Sequence, residues 1–130
     1  MEKQPWEEEE DRKEWVAHGL ACEIMRAPKL RHLCGYVGLP RTHPNFGDGY
    51  DDIDVDVHGG LTYAEEGTAV THSAGLWWVG FDCAHFGDLV PSSVDGGYSD
   101  DGVYRDMEYV TEETERLALQ LAKAREPGIE

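Results

Sequence analysis

Between Tyr50 and Tyr63 the chain reads YDDIDVDVHGGLTY, with Asp52, Asp54, Asp56 and His58 alternating with Ile53, Val55 and Val57. No other stretch limits the fold so tightly. A period of two is the period of a strand, whose successive side chains leave on opposite faces. The segment is therefore expected to be a strand with β-branched residues toward a core. Its other face would carry three carboxylates and an imidazole. Gly59 and Gly60 then permit a turn. Like charges at neighbouring positions repel, so the acidic row asks for a cation, a polar ligand, a basic partner or open water.

The charge of the whole chain points the same way. The 130 residues carry a net −16, and residues 35–108 hold 14 acids against 2 bases. Such a surface repels nucleic acid and anionic membranes and attracts cations or basic protein grooves. No apolar run approaches the ~20 residues of a membrane span, and the acidic beginning MEKQPWEEEED is no secretory signal. Cys22, Cys34 and Cys83 show neither CxxC spacing nor an even count, which fits a reduced, cytoplasmic setting.

Residues 1–130 are expected to form one α+β domain, with 1–5 loose and 126–130 a tail. A short helix is expected from Glu7 to His18, stopped by Gly19. Leu20 to Arg26 and Leu33 to Leu39 read as an antiparallel strand pair joined through Ala27-Pro28-Lys29. Leu61 to Ala64 opens another strand before a turn at Glu65-Glu66-Gly67, and Ala69 to Ser73 is ambiguous. Leu76 to Phe81 is rich in aromatic and β-branched residues, as strands are. Pro91 to Gly102 reads as a long loop. Val110, Thr114, Leu117 and Leu121, joined by Ala118 and Ala124, form the stripe of a C-terminal helix. Asp106 or Thr111 would cap it, and Pro127-Gly128 would end it. The expected architecture is a mostly antiparallel sheet with that helix packed on one face.

Two polar groups end two of the expected strands. One is Asp52, Asp54, Asp56 and His58; the other is Asp82, His85 and Asp88. Neighbouring strands would bring them together, and Asp56, His58, Asp82 and His85 are expected to share a pocket. Carboxylates with imidazoles suit a divalent transition metal. DxDxH nevertheless matches no zinc or EF-hand spacing, so a divalent ion on those four residues is an option and no cofactor is required. Asp54, Tyr63 and Trp78 complete the candidate ligand-binding set, with Trp78 offering a ring for stacking. GxSxG and GxGxxG are absent. Cys83 reads as a small buried residue and not as a nucleophile.

CGYVGLPRTHP, YDDIDVDVHGGLTY and WWVGFDCAHFGD, in that order and followed by YRDMEYV, resemble a widespread group of small bacteriophage and prophage proteins. The likeness spans roughly residues 15–122 and implies a setting, the bacterial host cytoplasm, without a chemistry. Small phage accessory proteins often antagonise host defence. Three functions are consistent with the residues. The first is a non-catalytic protein that sequesters a small polar or nucleotide-derived ligand, with Arg41 and Arg105 offsetting any phosphate. The second is a metal-dependent phosphodiester hydrolase. The third is an acidic DNA mimic that occupies a basic host protein, such as a CRISPR effector. The sequence favours the first, and so leans away from an enzyme.

Overall fold

The computed structural model describes residues 3–68, 73–98 and 100–124. A short helix α1 (Pro5–Glu8) leads into strands β1 (Arg12–Ala17), β2 (Leu20–Arg26) and β3 (Leu33–Leu39). A 3-10 turn at Tyr50–Asp52 precedes β4 (Tyr63–Glu66) and β5 (Trp77–Asp82), and helices α2 (Pro91–Asp95) and α3 (Met107–Ala124) follow. The five strands form one sheet in the order β1-β2-β3-β5-β4, antiparallel at every pairing. The α+β class, the β2–β3 pairing and the helix on one face of the sheet agree with the sequence.

The stretch from Glu7 to His18 corrects the expected helix. Its acids start α1, but from Arg12 onward the chain alternates, with Lys13, Trp15 and Ala17 half-buried and Arg12, Glu14 and Val16 exposed. Trp15 donates to Glu115 Oε2 at 2.9 Å and Lys13 to Thr111 Oγ1 at 3.1 Å, so that row faces α3. His18 and Gly19 have φ of 53° and 77°. Positive φ at both central residues is the demand of a two-residue type I′ hairpin turn. Gly19 thus turns a hairpin where a helix stop was expected. Order also reaches the residues expected to be loose: Gln4 N–H donates to Glu7 Oε2 at 2.8 Å.

The core lies between the sheet and α3. Leu20, Cys22 and Ile24 of β2, Leu33, Val37 and Leu39 of β3, and Val79 and Phe81 of β5 meet Val110, Leu117, Ala118 and Leu121 of α3. Ala124 is exposed and does not extend the stripe. Asp106 Oδ1 accepts from Tyr109 N–H at 2.8 Å and so caps the helix; Thr111 does not. Fully burying a Leu or Ile side chain stabilises by about 1.5–3 kcal/mol. Arg26, whose side chain is wholly buried, donates to Asp11 Oδ1 at 2.8 Å, to Glu9 Oε1 at 3.3 Å and to Tyr104 Oη at 2.9 Å. One guanidinium thus ties the start of the chain to the approach to α3.

The acidic stretch is not a strand. After the 3-10 turn, residues 53–62 form no ladder. Their apolar row keeps its expected place: Ile53 and Val57 are buried and Val55 packs against the same core. What differs is the source of backbone hydrogen bonds. Asp56 N–H donates to Gln120 Oε1 at 2.8 Å and Gln120 Nε2 donates to Asp56 O at 2.7 Å. His58 N–H donates to Glu113 Oε1 at 2.9 Å. Backbone polar groups near a core must be paired, and here helix side chains take the part of a neighbouring strand. The segment runs along α3, outside the sheet.

Smaller shifts follow the same logic. β4 begins two residues later than expected and takes in Glu65 and Glu66, because Glu66 still pairs with Trp77. Pro91 starts a helical turn within the expected loop, since its fixed φ suits a first helical position. Most of Ala69–Ser73 and all of Pro127-Gly128 lie outside the described residues.

Candidate functional site

The end of β5, the turn after it and the start of α3 meet where the acidic segment finishes. Asp88 is the centre. Its side chain is 1 % exposed, yet both oxygens are used. His58 Nε2 lies 2.9 Å from Oδ2, and Arg105 Nε donates to Oδ1 at 2.9 Å. His85 N–H donates to Oδ2 at 3.0 Å. Burial works against the charged carboxylate, but these hydrogen bonds outweigh it and hold Asp88 below the usual carboxylate range. The other nitrogen of His58, Nδ1, lies 2.8 Å from Tyr109 Oη. In the tautomer that satisfies both contacts, Nε2–H donates to Asp88 and Nδ1 accepts from the tyrosine. Arg105 sits over the Tyr109 ring, 4.9 Å from its centroid.

His85 joins this group from the turn after β5. Its ring centroid is 6.1 Å from that of His58. Nε2 is buried, 3.4 Å from Asp82 Oδ1 and without the alignment of a hydrogen bond. Gly59, with φ +69°, lies directly against this ring: a Cβ there would stand 2.4 Å from Nε2. The glycine is required twice, by its backbone angle and by the imidazole beside it. Asp82 closes β5, accepting from Thr62 Oγ1 and from Ala84 N–H, each at 3.0 Å. His32 is buried with Nδ1 unpartnered. Burial lowers its pKa, while Asp82 and Asp88 pull it the other way.

The structure brings together three of the four residues expected to share a pocket: His58, Asp82 and His85. Asp56 is the correction. Its side chain is 89 % exposed and pairs with Arg116 at 3.1 Å on the outer side of α3. Asp54 is exposed beside it. Tyr63 packs edge-on against Tyr36, with centroids 5.4 Å apart. Trp78 is 1 % exposed and donates to Ser73 O at 3.0 Å, so its ring is not free to stack on a ligand. It forms part of the wall of a hollow of about 310 Å³ on the sheet face away from α3, beside Glu14 and Glu23. Trp77 is half-buried and donates to Asp48 O at 2.9 Å. Cys83 is buried, as expected, and burial pushes its thiol pKa up. Among the described residues, no three His, Cys, Asp or Glu side chains are grouped to hold a metal ion.

Sequence reasoning missed Tyr109 and His32, and it named Arg105 only as an offset for a ligand's phosphate, whereas the structure pairs it with Asp88. Arg105 and Tyr109 carried a signal, since Arg105, Tyr109 and Glu113 recur every four residues and so share one side of α3 and its approach. A cleft of about 510 Å³ opens beside the cluster, lined by His85, Phe86, Gly87 and Asp88 on one wall and Asp100, Asp101 and Gly102 on the other. Asp100 accepts from Val90 N–H at 2.9 Å and from Gly102 N–H at 2.8 Å, and these bonds lower its pKa. Among the described residues, no helix is long and apolar enough to cross a membrane. Comparison of the chain with known families, characterised proteins and solved structures gives no match.

Proposed function

We propose that the chain is a non-catalytic binding protein whose acidic sheet end receives a positively charged group on a partner. The observation that carries this reading is the closed network around Asp88. Both His58 nitrogens are engaged and Asp88 is already ion-paired with Arg105. A metal ion or a metal-activated water held by His58 would need one of those positions free. The network is suited to hold the His85–Asp88 turn rigid at the edge of the cleft, which is the arrangement a binding site needs.

The charge of the ligand follows from which cations are spare. Arg105 is paired with Asp88 at 2.9 Å, and Arg41 lies 3.5 Å from Glu66 Oε2. Arg105 is thus held by Asp88 and Arg41 does not line the cleft, while the cleft contributes Asp88, Asp100 and Asp101. A basic partner fits such a surface better than a nucleotide. Together with the resemblance to phage proteins, this favours an accessory protein that engages a basic host protein in the cytoplasm. Calorimetry of the full chain against octa-lysine and against a cyclic dinucleotide tests the reading. The expected result is salt-dependent binding of the peptide and none of the nucleotide. Stoichiometric uptake of the nucleotide with no response to the peptide would overturn it.

A further inference from the structure

We infer that the cleft beside Asp88 is built for an arginine side chain of the partner, stacked on Phe86 and paired with Asp101. The inference rests on the binding reading above and names the group that the site recognises. Phe86 is fully exposed, the most exposed large apolar side chain among the described residues. A lone exposed apolar residue on a mobile loop would carry no weight, but this one stands on a turn fixed from several sides. Asp88 N–H donates to His85 O at 2.9 Å, Val103 N–H to Gly87 O at 2.8 Å, and Leu89 N–H to Val103 O at 2.9 Å. The Asp88 carboxylate locks the same turn through His85 N–H. The backbone that carries the ring is therefore already ordered, and binding does not have to order a loop.

The opposite wall supplies the complement. Asp100 is spent on two backbone amides and stays ionised. Asp101 is exposed and makes no hydrogen bond or ion pair with any described residue. One wall of the cleft thus offers the face of a benzene ring and the other a spare carboxylate. A guanidinium is the side-chain group that uses both, stacking its plane on the ring and donating paired hydrogen bonds to the carboxylate. An ammonium is a point charge without a stacking plane. Val103, more than half exposed and joined to Gly87 by its N–H, extends the apolar rim for the arginine stem. A second copy of this chain is a poor occupant, because each copy carries −16.

The test uses the full chain and three peptides that differ at one residue: Ac-GGRGG-NH2, its lysine counterpart and its citrulline counterpart. Amide resonances are followed during titration of wild type, Phe86→Ala and Asp101→Asn. The arginine peptide is expected to shift residues 85–88 and 100–103, with the lysine peptide weaker and the citrulline peptide silent. Phe86→Ala and Asp101→Asn are each expected to weaken arginine binding about two- to fivefold, the range of an exposed cation–π contact for the first and of an exposed ion pair for the second. Both side chains are exposed, so unchanged thermal unfolding is expected and separates lost binding from lost fold. If both basic peptides shift the Asp51–Asp56 region instead, and Phe86→Ala changes nothing, the arginine site is wrong while the basic-partner reading stands. If neither these peptides nor octa-lysine binds anywhere, the basic-partner reading itself falls.

Discussion

Two runs of aspartate in this molecule have opposite fates. Asp52, Asp54 and Asp56 stand exposed along α3, and the one partner given to Asp56 is a surface arginine. Asp82 and Asp88 lie at the end of the sheet, where Asp88 is almost wholly buried and held by His58, Arg105 and His85. The first run is by far the more regular in sequence. Its regularity belongs to the residues between the acids, because Ile53, Val55 and Val57 dock on the core and leave every other side chain in water. The second run has no period, and its order comes from donors that arrive from distant parts of the chain. A repeating pattern reports which side of a segment is buried, whereas an organised charge depends on what folds against it.

The largest effect expected from this contrast is at Asp88. Asp88→Ala should cost about 3–5 kcal/mol, the cost of removing one partner from a buried ion pair. Asp54→Ala should stay within about 0.5 kcal/mol, as exposed substitutions do. Urea unfolding of the two variants measures the difference, and equal midpoints would erase the distinction between the two regions.

Titration sharpens the comparison with an intermediate effect. His32 has its pKa lowered by burial, so the unfolded chain takes up its proton first. The stability it contributes is complete above about pH 6.5 and falls as the pH drops below that. Asp88 is held below the ordinary carboxylate value. Its contribution is present above about pH 4 and is lost as the pH falls through the lower folded value. Stability measured against pH should therefore decline in two stages. His32→Phe should flatten the upper stage and Asp88→Asn the lower. A profile that Asp88→Asn does not alter would place the acid sensitivity elsewhere.

The smallest effect concerns the exposed run. Arg116 pairs with Asp56 at 3.1 Å, with both side chains well exposed. Such a pair is worth about 0–1 kcal/mol and is screened by salt. Asp56→Ala should move the unfolding midpoint slightly at low salt and not at 1 M salt. A larger, salt-independent loss would show that the first run is organised in its own right.

Much of this fold was legible in the sequence because its main elements carry their own pattern. β2, β3 and β5 are short apolar runs bounded by turn residues, and α3 carries a helical stripe that survives intact at Val110, Thr114, Leu117 and Leu121. β1 was hidden because the acids of α1 run into it and because its inward row includes Lys13, whose burial depends on Thr111. Alternation from Asp52 to His58 was read correctly for burial and wrongly for pairing, since nothing local announces that Gln120 will supply the bonds. At the site, His58, Asp82 and His85 could be gathered from strand ends. Arg105 and Tyr109 could not be gathered that way, because one lies just before α3 and the other on it. Trp78 looked available as one of two neighbouring rings, and the sheet face away from α3 conceals it.

The Arg26 junction has a consequence for synthesis. Glu9 and Asp11 reach Arg26 early in the chain, but Tyr104 and the N–H of Met107, which binds Glu9 Oε2 at 2.7 Å, are made near its end. All five strands leave the ribosome before α3 does. A nascent chain therefore has its five strands while the helix that covers their apolar side is still missing, and an N-terminal segment that waits for its last two fastenings. Chains emerge at about 5–20 residues per second, so that interval lasts seconds. The stretch from Tyr104 onward acts as the clasp that shuts the molecule, and a translation pause before it would hold the protein in its stickiest form.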